Sequence, residues 1–201
     1  MIYLLRHGET VWNLANRLQG HRDSPLSRTG IAQIEAIGRL LRDNIDDHGT
    51  FNIVSSPLGR AWQSAIIVAQ RLGRDTDNIA IEPRLKEMAF GAWEGMTFTE
   101  VEQAEPGVLA RRKSDHWRFR PPGGESYADL AARVAPWLQA QSEQARLIIV
   151  CHGLTSRVIR GLYAGLAPEK TVVLSEAQGE VYRLAHGRIE TLASGDSHTA
   201  P

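Results

Sequence analysis

Short apolar segments alternate along the chain with longer segments whose apolar residues recur every three to four positions. The short segments have the length and composition of β-strands, and the longer ones have the periodicity of amphipathic helices. Strands are predicted at residues 2–5, 52–55, 79–82, 147–151, 172–174, 180–184 and 188–192. Helices are predicted at residues 29–43, 57–72, 126–145 and 154–163, with an irregular helical stretch at 96–118 that Pro106-Gly107 interrupts.

The order of these elements indicates the fold class. Strands that alternate with helices favour a mostly parallel central sheet with helices on both faces, which is a three-layer α/β/α sandwich. His186-Gly187 separates the last two strands and predicts a hairpin there. We expect one domain over residues 1–193, and a flexible tail over residues 194–201, which lack large apolar side chains.

Composition and charge narrow the functional classes. The chain has 201 residues, of which 42% are hydrophobic and 23% charged, as in ordinary globular domains. Its 23 basic and 23 acidic side chains balance, so no net charge favours binding to nucleic acid or to a membrane surface. The longest aliphatic run, at residues 147–151, is far too short to span a bilayer. A single cysteine, and a charge at Arg6 that leaves no room for a signal peptide, favour a cytoplasmic location.

Two segments share one design. Residues 2–5 lead into Arg6-His7-Gly8, and residues 147–150 lead into Cys151-His152-Gly153. Each segment places a histidine just beyond the carboxyl end of a predicted strand, which is the edge of an α/β sheet where ligands bind. One such histidine is more often structural, but two in the same construction favour a ligand site.

Two arginines indicate the charge of that ligand. Arg6 lies at a strand end, where burying a guanidinium is costly unless it meets an anion such as phosphate or carboxylate. Arg60 lies in the first turn of a predicted helix, where the helix dipole opposes a cation. A bound anion would compensate for both effects, although a solvated surface position for Arg60 is equally compatible with the residues alone.

Short motifs follow one another in a fixed order over residues 2 to about 160. They lie at residues 5–13, 17–20, 23–27, 30, 55–61, 85–87, 90–95, 121–126 and 150–153. Together they resemble the histidine phosphatase superfamily, in its phosphoglycerate-mutase-like branch. The resemblance implies a phosphoglycerate-mutase-like fold with a cap-like insertion at about residues 88–125.

The resemblance also implies the roles of individual residues. His7 would be the nucleophile that accepts the phosphoryl group, and Glu87 would donate a proton to the leaving group. Arg6, Arg60 and His152 would grip the phosphate. The implied substrate-binding residues are Asn13, Gln19, Gly20 and Gly153. No metal or other cofactor is implied, the substrate would be a small phosphorylated metabolite, and the protein would be a monomer or homodimer.

The chemistry of these side chains is consistent with the implied roles. A neutral imidazole presents a lone pair at one nitrogen when the other donates a hydrogen bond, and nearby arginines disfavour its protonation. Two arginines and a histidine can neutralise a transferring phosphoryl group without magnesium. We therefore expect a metal-independent phosphomonoesterase that works through phosphohistidine.

Three alternatives remain. A cofactor-dependent phosphoglycerate mutase is disfavoured by the short segment between Glu87 and Pro121, since the mutases carry a longer insertion there. The residues Trp93-Glu94-Gly95 and Leu154 also depart from the mutase pattern. Cys151 begins a C-x5-R sequence, as in cysteine-dependent phosphatases, but its flanking residues do not fit those enzymes. A non-catalytic phosphate-binding module is disfavoured because the nucleophile and the acid are both present.

Some residues are secondary candidates. The Arg111-Arg112-Lys113 run is expected to be a solvated helix face within reach of the far end of the substrate. His21 and Arg28 border the expected pocket and are specificity candidates. The aromatic residues expected to pack in the core or the cap are Trp93, Trp117 and Phe119.

Overall fold

A six-stranded sheet runs through the centre of the computed structural model, which describes residues 1–193. The strands are β1 (Ile2–Arg6), β2 (Asn52–Ser55), β3 (Ala80–Ile81), β4 (Leu147–Cys151), β5 (Glu180–Ala185) and β6 (Arg188–Ala193). Their order across the sheet is β3-β2-β4-β1-β5-β6. Strands β1 to β4 are mutually parallel, β5 is antiparallel to β1, and β6 is antiparallel to β5. The expected tail at residues 194–201 lies outside the described residues.

Helices cover both faces of this sheet. They are α1 (Val11–Leu14), α2 (Arg28–Asn44), α3 (Gly59–Arg71), α4 (Phe98–Ala104), α5 (Val108–Ser114), α6 (Tyr127–Gln139), α7 (Gly153–Tyr163) and α8 (Pro168–Thr171). Short 3-10 turns lie at His48–Thr50, Thr76–Asn78, Pro83–Leu85 and Gly91–Trp93. No helix in residues 1–193 is long and apolar enough to cross a membrane.

Side chains that alternate between the two faces of the central strands explain the three layers. In β1, Ile2 and Leu4 join the core beneath α6 and α7, whereas Tyr3 and Leu5 join the core beneath α2 and α3. Every residue of β4 is buried, as expected for a central parallel strand covered on both sides. The predicted three-layer, mostly parallel α/β/α class is therefore confirmed.

Two predicted elements differ from the structure. Residues 172–174 are not a strand, because they form the turn after α8 and leave Val173 74% exposed. The helix that Ser126 caps ends at Gln139 and does not continue to residue 145. After Leu138 the chain carries no large apolar side chain until β4, so no amphipathic face is available to stabilise a longer helix.

Turn residues explain two boundaries that were predicted. Gly107 has a left-handed backbone with φ of 84° and separates α4 from α5 within the irregular helical stretch. His186 and Gly187 have φ angles of 50° and 74° and form the tight hairpin between β5 and β6. Positive φ at both central positions matches the twist of the two strands that such a turn connects.

Candidate active site

The carboxyl ends of β1, β4 and β2 bring the predicted residues together. β1 and β4 are paired with Arg6 opposite Cys151, so the histidines that follow them emerge side by side. The imidazole rings of His7 and His152 lie 5.2 Å apart. β2 borders β4 on its other side, and the residue after it, Ser56, places Oγ 2.7 Å from His152 Nε2.

The surroundings of His7 determine its protonation. The imidazole is buried, and its Nδ1 lies 2.7 Å from the carbonyl oxygen of Gly8, to which it donates a hydrogen bond. Nε2 therefore carries the lone pair, and it accepts a hydrogen bond from Arg60 Nε at 3.2 Å. Burial, together with the charges of Arg60 and Arg6, holds the pKa of His7 well below its usual range. The ring is thus a neutral base with its lone pair at Nε2.

Arg60 is almost completely buried and hydrogen-bonded on several sides. Its two terminal nitrogens donate to the carbonyl oxygens of Gly20, at 2.8 Å, and Arg22, at 2.7 Å. One of them also forms an ion pair of 3.0 Å with Asp23. These contacts leave Arg60 in one orientation, with Nε directed at His7.

Asp23 begins the motif at residues 23–27, but the sequence assigned it no role. Its carboxylate accepts the backbone N–H groups of Gly59 and Arg60 in the first turn of α3, where Leu58 provides no side-chain cap. A carboxylate there is favoured by the helix dipole and offsets the charge of Arg60. The sequence-based expectation that a bound anion compensates for both effects is therefore incomplete, because the protein supplies one carboxylate itself.

Two buried nitrogen atoms beside His7 retain hydrogen-bonding capacity. Arg6 donates from one terminal nitrogen to the carbonyl oxygen of Glu176 at 2.6 Å, but its Nε has no partner in residues 1–193. His152 Nδ1 also lacks a partner within that range. Buried polar groups are normally paired, so an anion bound beside these two atoms would supply the missing hydrogen bonds. Arg6 lines the pocket described below, whereas His152 does not. Burial, with the charges of Arg60 and His7, also holds the pKa of His152 well below its usual range.

The carboxylate of Glu87 contacts the first turn of α7. Its Oε2 accepts the N–H of Leu154 at 3.2 Å, while Oε1 accepts the N–H groups of Met88 and Thr155. The hydroxyl of Thr155 lies 3.2 Å from Oε1 but donates its one proton to the closer carbonyl oxygen of Lys86, at 2.9 Å. Arg133 holds the same loop from α6 by donating to the carbonyl oxygen of Glu87 at 3.2 Å. Oε1 thus accepts two N–H groups and Oε2 only one, which leaves Oε2 the oxygen better able to contact an oxygen of the substrate.

The predicted substrate-binding residues fall into two groups. Asn13, Gln19 and Gly20 line a pocket of about 300 Å³ together with Arg6, His7, Arg60 and Glu87. Gly153 does not line it, but a Cβ at that position would lie 3.4 Å from the Arg6 guanidinium and closer still to the carboxylate of Glu176. Glycine at position 153 thus leaves room for the carboxylate of Glu176 beside Arg6.

Several residues of the pocket were not predicted as site residues. They are Arg17, Leu18, Phe90, Phe98, Arg112, His116, Leu154, Arg157 and Glu176. The expectation of a solvated face for residues 111–113 holds for Arg111 and Lys113 but is wrong for Arg112, which is half-buried and faces the pocket. The orientation of α5 decides which of three consecutive cations points inward, and no local pattern reveals that orientation.

The remaining candidates lie outside the pocket lining. His21 is exposed, with Nε2 2.9 Å from the carbonyl oxygen of Glu87, and Arg28 is exposed at the start of α2. The aromatic residues pack as expected. Trp93 is buried and stacks on Phe119, and Trp117 stacks on Tyr127.

Cys151 is a core residue. It is fully buried on the face of the sheet covered by α6 and α7, and its side chain does not line the pocket. Burial, reinforced by the charge of Glu87, raises the pKa of the Cys151 thiol. A nucleophilic cysteine needs the thiolate, so this environment opposes the cysteine-dependent alternative. Residues 1–193 contain no group of three or more His, Cys, Asp or Glu side chains that could hold a metal ion.

Comparisons with known proteins agree with this geometry. The sequence model described as "Histidine phosphatase superfamily (branch 1)" matches residues 2–193. A curated relative from Erwinia tasmaniensis, "Probable phosphoglycerate mutase GpmB", is 32% identical over 197 residues, covering 96% of this chain and 88% of the relative.

Solved structures of similar proteins carry phosphatase names. A mycobacterial glucosyl-3-phosphoglycerate phosphatase superposes with a TM-score of 0.77 at 27% identity, covering 90% of this chain and 88% of that one. The α-ribazole phosphatase from Shigella flexneri superposes with a TM-score of 0.79 at 25% identity, covering 96% and 94%.

Proposed function

The chain belongs to the histidine phosphatase superfamily, and from that membership we propose that it hydrolyses a small phosphorylated metabolite through a phosphohistidine intermediate. His7 is the nucleophile and Glu87 the proton donor. Arg6, Arg60 and His152 hold the phosphoryl oxygens. No metal ion takes part, because these three side chains supply the hydrogen bonds and positive charge that the transferring group requires.

One observation carries this proposal. His7 is buried and neutral, its Nδ1 proton is held by the Gly8 carbonyl, and its Nε2 lone pair lies 3.2 Å from Arg60 Nε. A histidine that served only to bind an anion would gain from being protonated in this position. A neutral ring between two arginines is instead the form that can attack phosphorus.

The reaction proceeds in two balanced steps. In the first step, Nε2 of His7 attacks phosphorus, the bond to the ester oxygen breaks, and that oxygen takes the proton from Glu87. In the second step, water attacks the phosphorus of the phosphohistidine, Glu87 takes a proton from that water, and inorganic phosphate leaves His7 neutral. Arg60 Nε donates to Nε2 before the reaction and to a phosphoryl oxygen once the new bond has formed.

Hydrolysis is favoured over mutase activity by two kinds of support. The segment between Glu87 and Pro121 contains only two seven-residue helices, α4 and α5, which is a small cover for excluding water. The solved structures named above are phosphatases. The name of the Erwinia tasmaniensis relative makes phosphoglycerate mutase the second candidate.

The test is a comparison of two variants with radiolabelled substrate. His7→Ala should abolish both turnover and the acid-labile phosphoenzyme, whereas Cys151→Ala should retain most of the activity. An active His7→Ala protein, or a folded but inactive Cys151→Ala protein, would contradict the proposed mechanism. Mutase activity is measured in the same samples, and faster transfer of phosphate between hydroxyls than to water would favour the second candidate.

A further inference from the structure

The pocket has an inner and an outer half. The inner half contains Arg6, His7, Arg60 and Glu87, and His152 lies beside His7 without lining the pocket. The outer half, here called the outer pocket, is formed by Arg17, Phe98, Arg112, His116 and Arg157. Three of these five residues are arginines that the proposed reaction does not use.

Two of the three arginines already have partners. Arg17 forms an ion pair of 3.1 Å with Glu100. Arg157 lies 3.5 Å from the carboxylate of Glu176 and donates to the hydroxyl of Tyr127 at 3.0 Å. Their charges are therefore largely matched within the protein.

Arg112 differs from both. It is half-buried, and its guanidinium forms neither an ion pair nor a hydrogen bond within residues 1–193. Its guanidinium lies over the ring of Phe98, 5.2 Å from the centroid. Burial lowers the pKa of Arg112, as does the charge of Arg157, while Tyr127 and the carboxylate of Glu176 partly oppose that shift. A partly desolvated cation without a carboxylate partner is costly, and an anion in the pocket would remove that cost.

His116 adds a neutral hydrogen-bonding group beside this cation. Burial, with the charges of Arg112 and Arg157, lowers the pKa of His116 to about 4, so the ring is uncharged near neutral pH. Its Nε2 is buried and has no hydrogen-bond partner among the described residues. The two nearby arginines repel a proton here, whereas they attract an anion.

We propose that the outer pocket binds a second anionic group of the substrate, with Arg112 as its main contact. The substrate would then be a small phosphomonoester that carries a carboxylate or another phosphate at its far end. This inference rests on the proposed function, because the inner half is what cleaves the ester. A pocket of about 300 Å³ is at the small end of ligand pockets, which favours a short molecule with both groups.

Neighbouring cations on α5 provide matched controls. Arg111 is exposed and pairs with Glu105, and Lys113 is also exposed. Neither residue lines the pocket. Replacing either one removes the same charge from the same helix without touching the outer pocket.

The experiment compares two pairs of esters. The first pair is 3-phosphoglycerate and glycerol 3-phosphate, which differ in a carboxylate. The second is propane-1,3-diol bisphosphate and its monophosphate, which differ in a phosphate. Phosphate release gives the ratio of kcat/KM within each pair for the wild type and for Arg112→Gln, Arg112→Lys and Lys113→Gln. Binding of the same esters is measured by calorimetry with His7→Ala and with His7→Ala that also carries Arg112→Gln.

In at least one pair, we expect the wild type to prefer the ester with two anionic groups by roughly 10- to 100-fold, which corresponds to a hydrogen bond to a charged group. The pair that shows the preference identifies the second group as carboxylate or phosphate. Arg112→Gln should bring the ratio close to one, Arg112→Lys should retain part of it, and Lys113→Gln should leave it unchanged.

The outcomes separate this inference from the proposed function. Hydrolysis of all four esters without preference, or an equal loss in Lys113→Gln, overturns the outer pocket as an anion site and leaves the phosphatase intact. If no ester is hydrolysed, but His7→Ala binds the esters with two anionic groups more tightly and Arg112→Gln removes that preference, the proposed phosphatase activity is wrong and the outer pocket is supported as an anion site.

Discussion

The inner and outer halves of the pocket are built from different parts of the fold. The inner residues follow the carboxyl ends of three parallel strands or begin the next helix, and His7, Arg60 and His152 are each at most 2% exposed. The outer pocket comes largely from the short helices α4 and α5 and the turn after them, where Phe98 is 38% exposed and Arg112 only half-buried.

This difference has a physical reason. Phosphoryl transfer requires each group to be held in position, and a side chain enclosed by a sheet edge and several hydrogen bonds has one available orientation. Seven-residue helices have little stability of their own and depend on how they pack. The inner half is thus suited to the chemistry that all substrates share, and the outer half to the part of the substrate that differs.

The largest expected effect separates the two halves directly. Arg60→Ala should reduce the rate of phosphoenzyme formation by about a thousandfold with every ester, because the transferring phosphoryl loses its main cation. Rapid-quench measurement of phosphoenzyme checks this. The matched control is Arg71→Ala, at the other end of α3, which removes an exposed arginine paired with Glu35.

Two results would contradict this division. Wild-type rates in Arg60→Ala would place that side chain outside the chemistry. An equally large and substrate-independent loss in Arg112→Gln would show that the outer pocket belongs to the same machinery as the inner half.

The next effect concerns Glu87, at the border between the two halves. Glu87→Gln should slow phosphorylation by an alkyl phosphate by about a hundredfold or more, because an alkoxide must be protonated as it leaves. With p-nitrophenyl phosphate, which releases a stable anion, the loss should be far smaller. Single-turnover phosphorylation is the measurement, since steady-state rates also include hydrolysis of phosphohistidine.

Equal losses on the two esters would mean that another group protonates the leaving oxygen. His152 would then be the candidate, since its Nδ1 has no partner within residues 1–193. Thr155→Val offers an intermediate case, because it removes a hydroxyl that holds the Lys86 carbonyl oxygen and lies 3.2 Å from Glu87 Oε1, but it leaves the carboxyl group in place.

The smallest expected effect is on stability as a function of pH. His7 in the inner half and His116 in the outer pocket both have lowered pKa values in the folded protein. The unfolded chain binds protons on these histidines below about pH 6.5, whereas the folded protein does not. Stability is therefore fully present above pH 6.5 and falls below it, by about 1.4 kcal/mol per pH unit for a fully buried histidine such as His7.

Urea unfolding at pH 7.5, 6.5 and 5.5 measures this dependence. Between pH 6.5 and 5.5, His7→Ala should reduce the loss of stability by about 1 kcal/mol, because the unfolded histidine is already half protonated at pH 6.5. His116→Gln should reduce that loss by less, because His116 is partly exposed to solvent. Identical slopes in the wild type and His7→Ala would show that His7 is not held neutral by the fold.

Much of the fold could be predicted because its signals are local. The apolar runs of β1, β2 and β4 are too short for helices and end at polar or glycine residues, so their bounds were predicted to within one residue. The segment at 172–174 carries the same β-branched signal but follows α8 and packs only Val172, so a local pattern could not exclude a strand there.

The inner half of the candidate site was also accessible from sequence. A histidine and a glycine after each of two buried strands must meet at one edge when those strands pair in parallel, and His7 and His152 do so. Asp23 was missed because its partners, Gly59 and Arg60, lie more than thirty positions away along the chain.

The sequence by itself determined the class of the fold, the sheet edge that carries the chemistry and the residues proposed to act on phosphate, because alternation along strands and short motifs are properties of neighbouring residues. Only the tertiary structure decided the tautomer of His7 and the hydrogen bonds of Glu87 to the first turn of α7. It also decided that Arg112, and not Arg111 or Lys113, is the cation that faces the pocket. Each of these depends on the distance and direction between elements far apart in the chain, which packing alone sets.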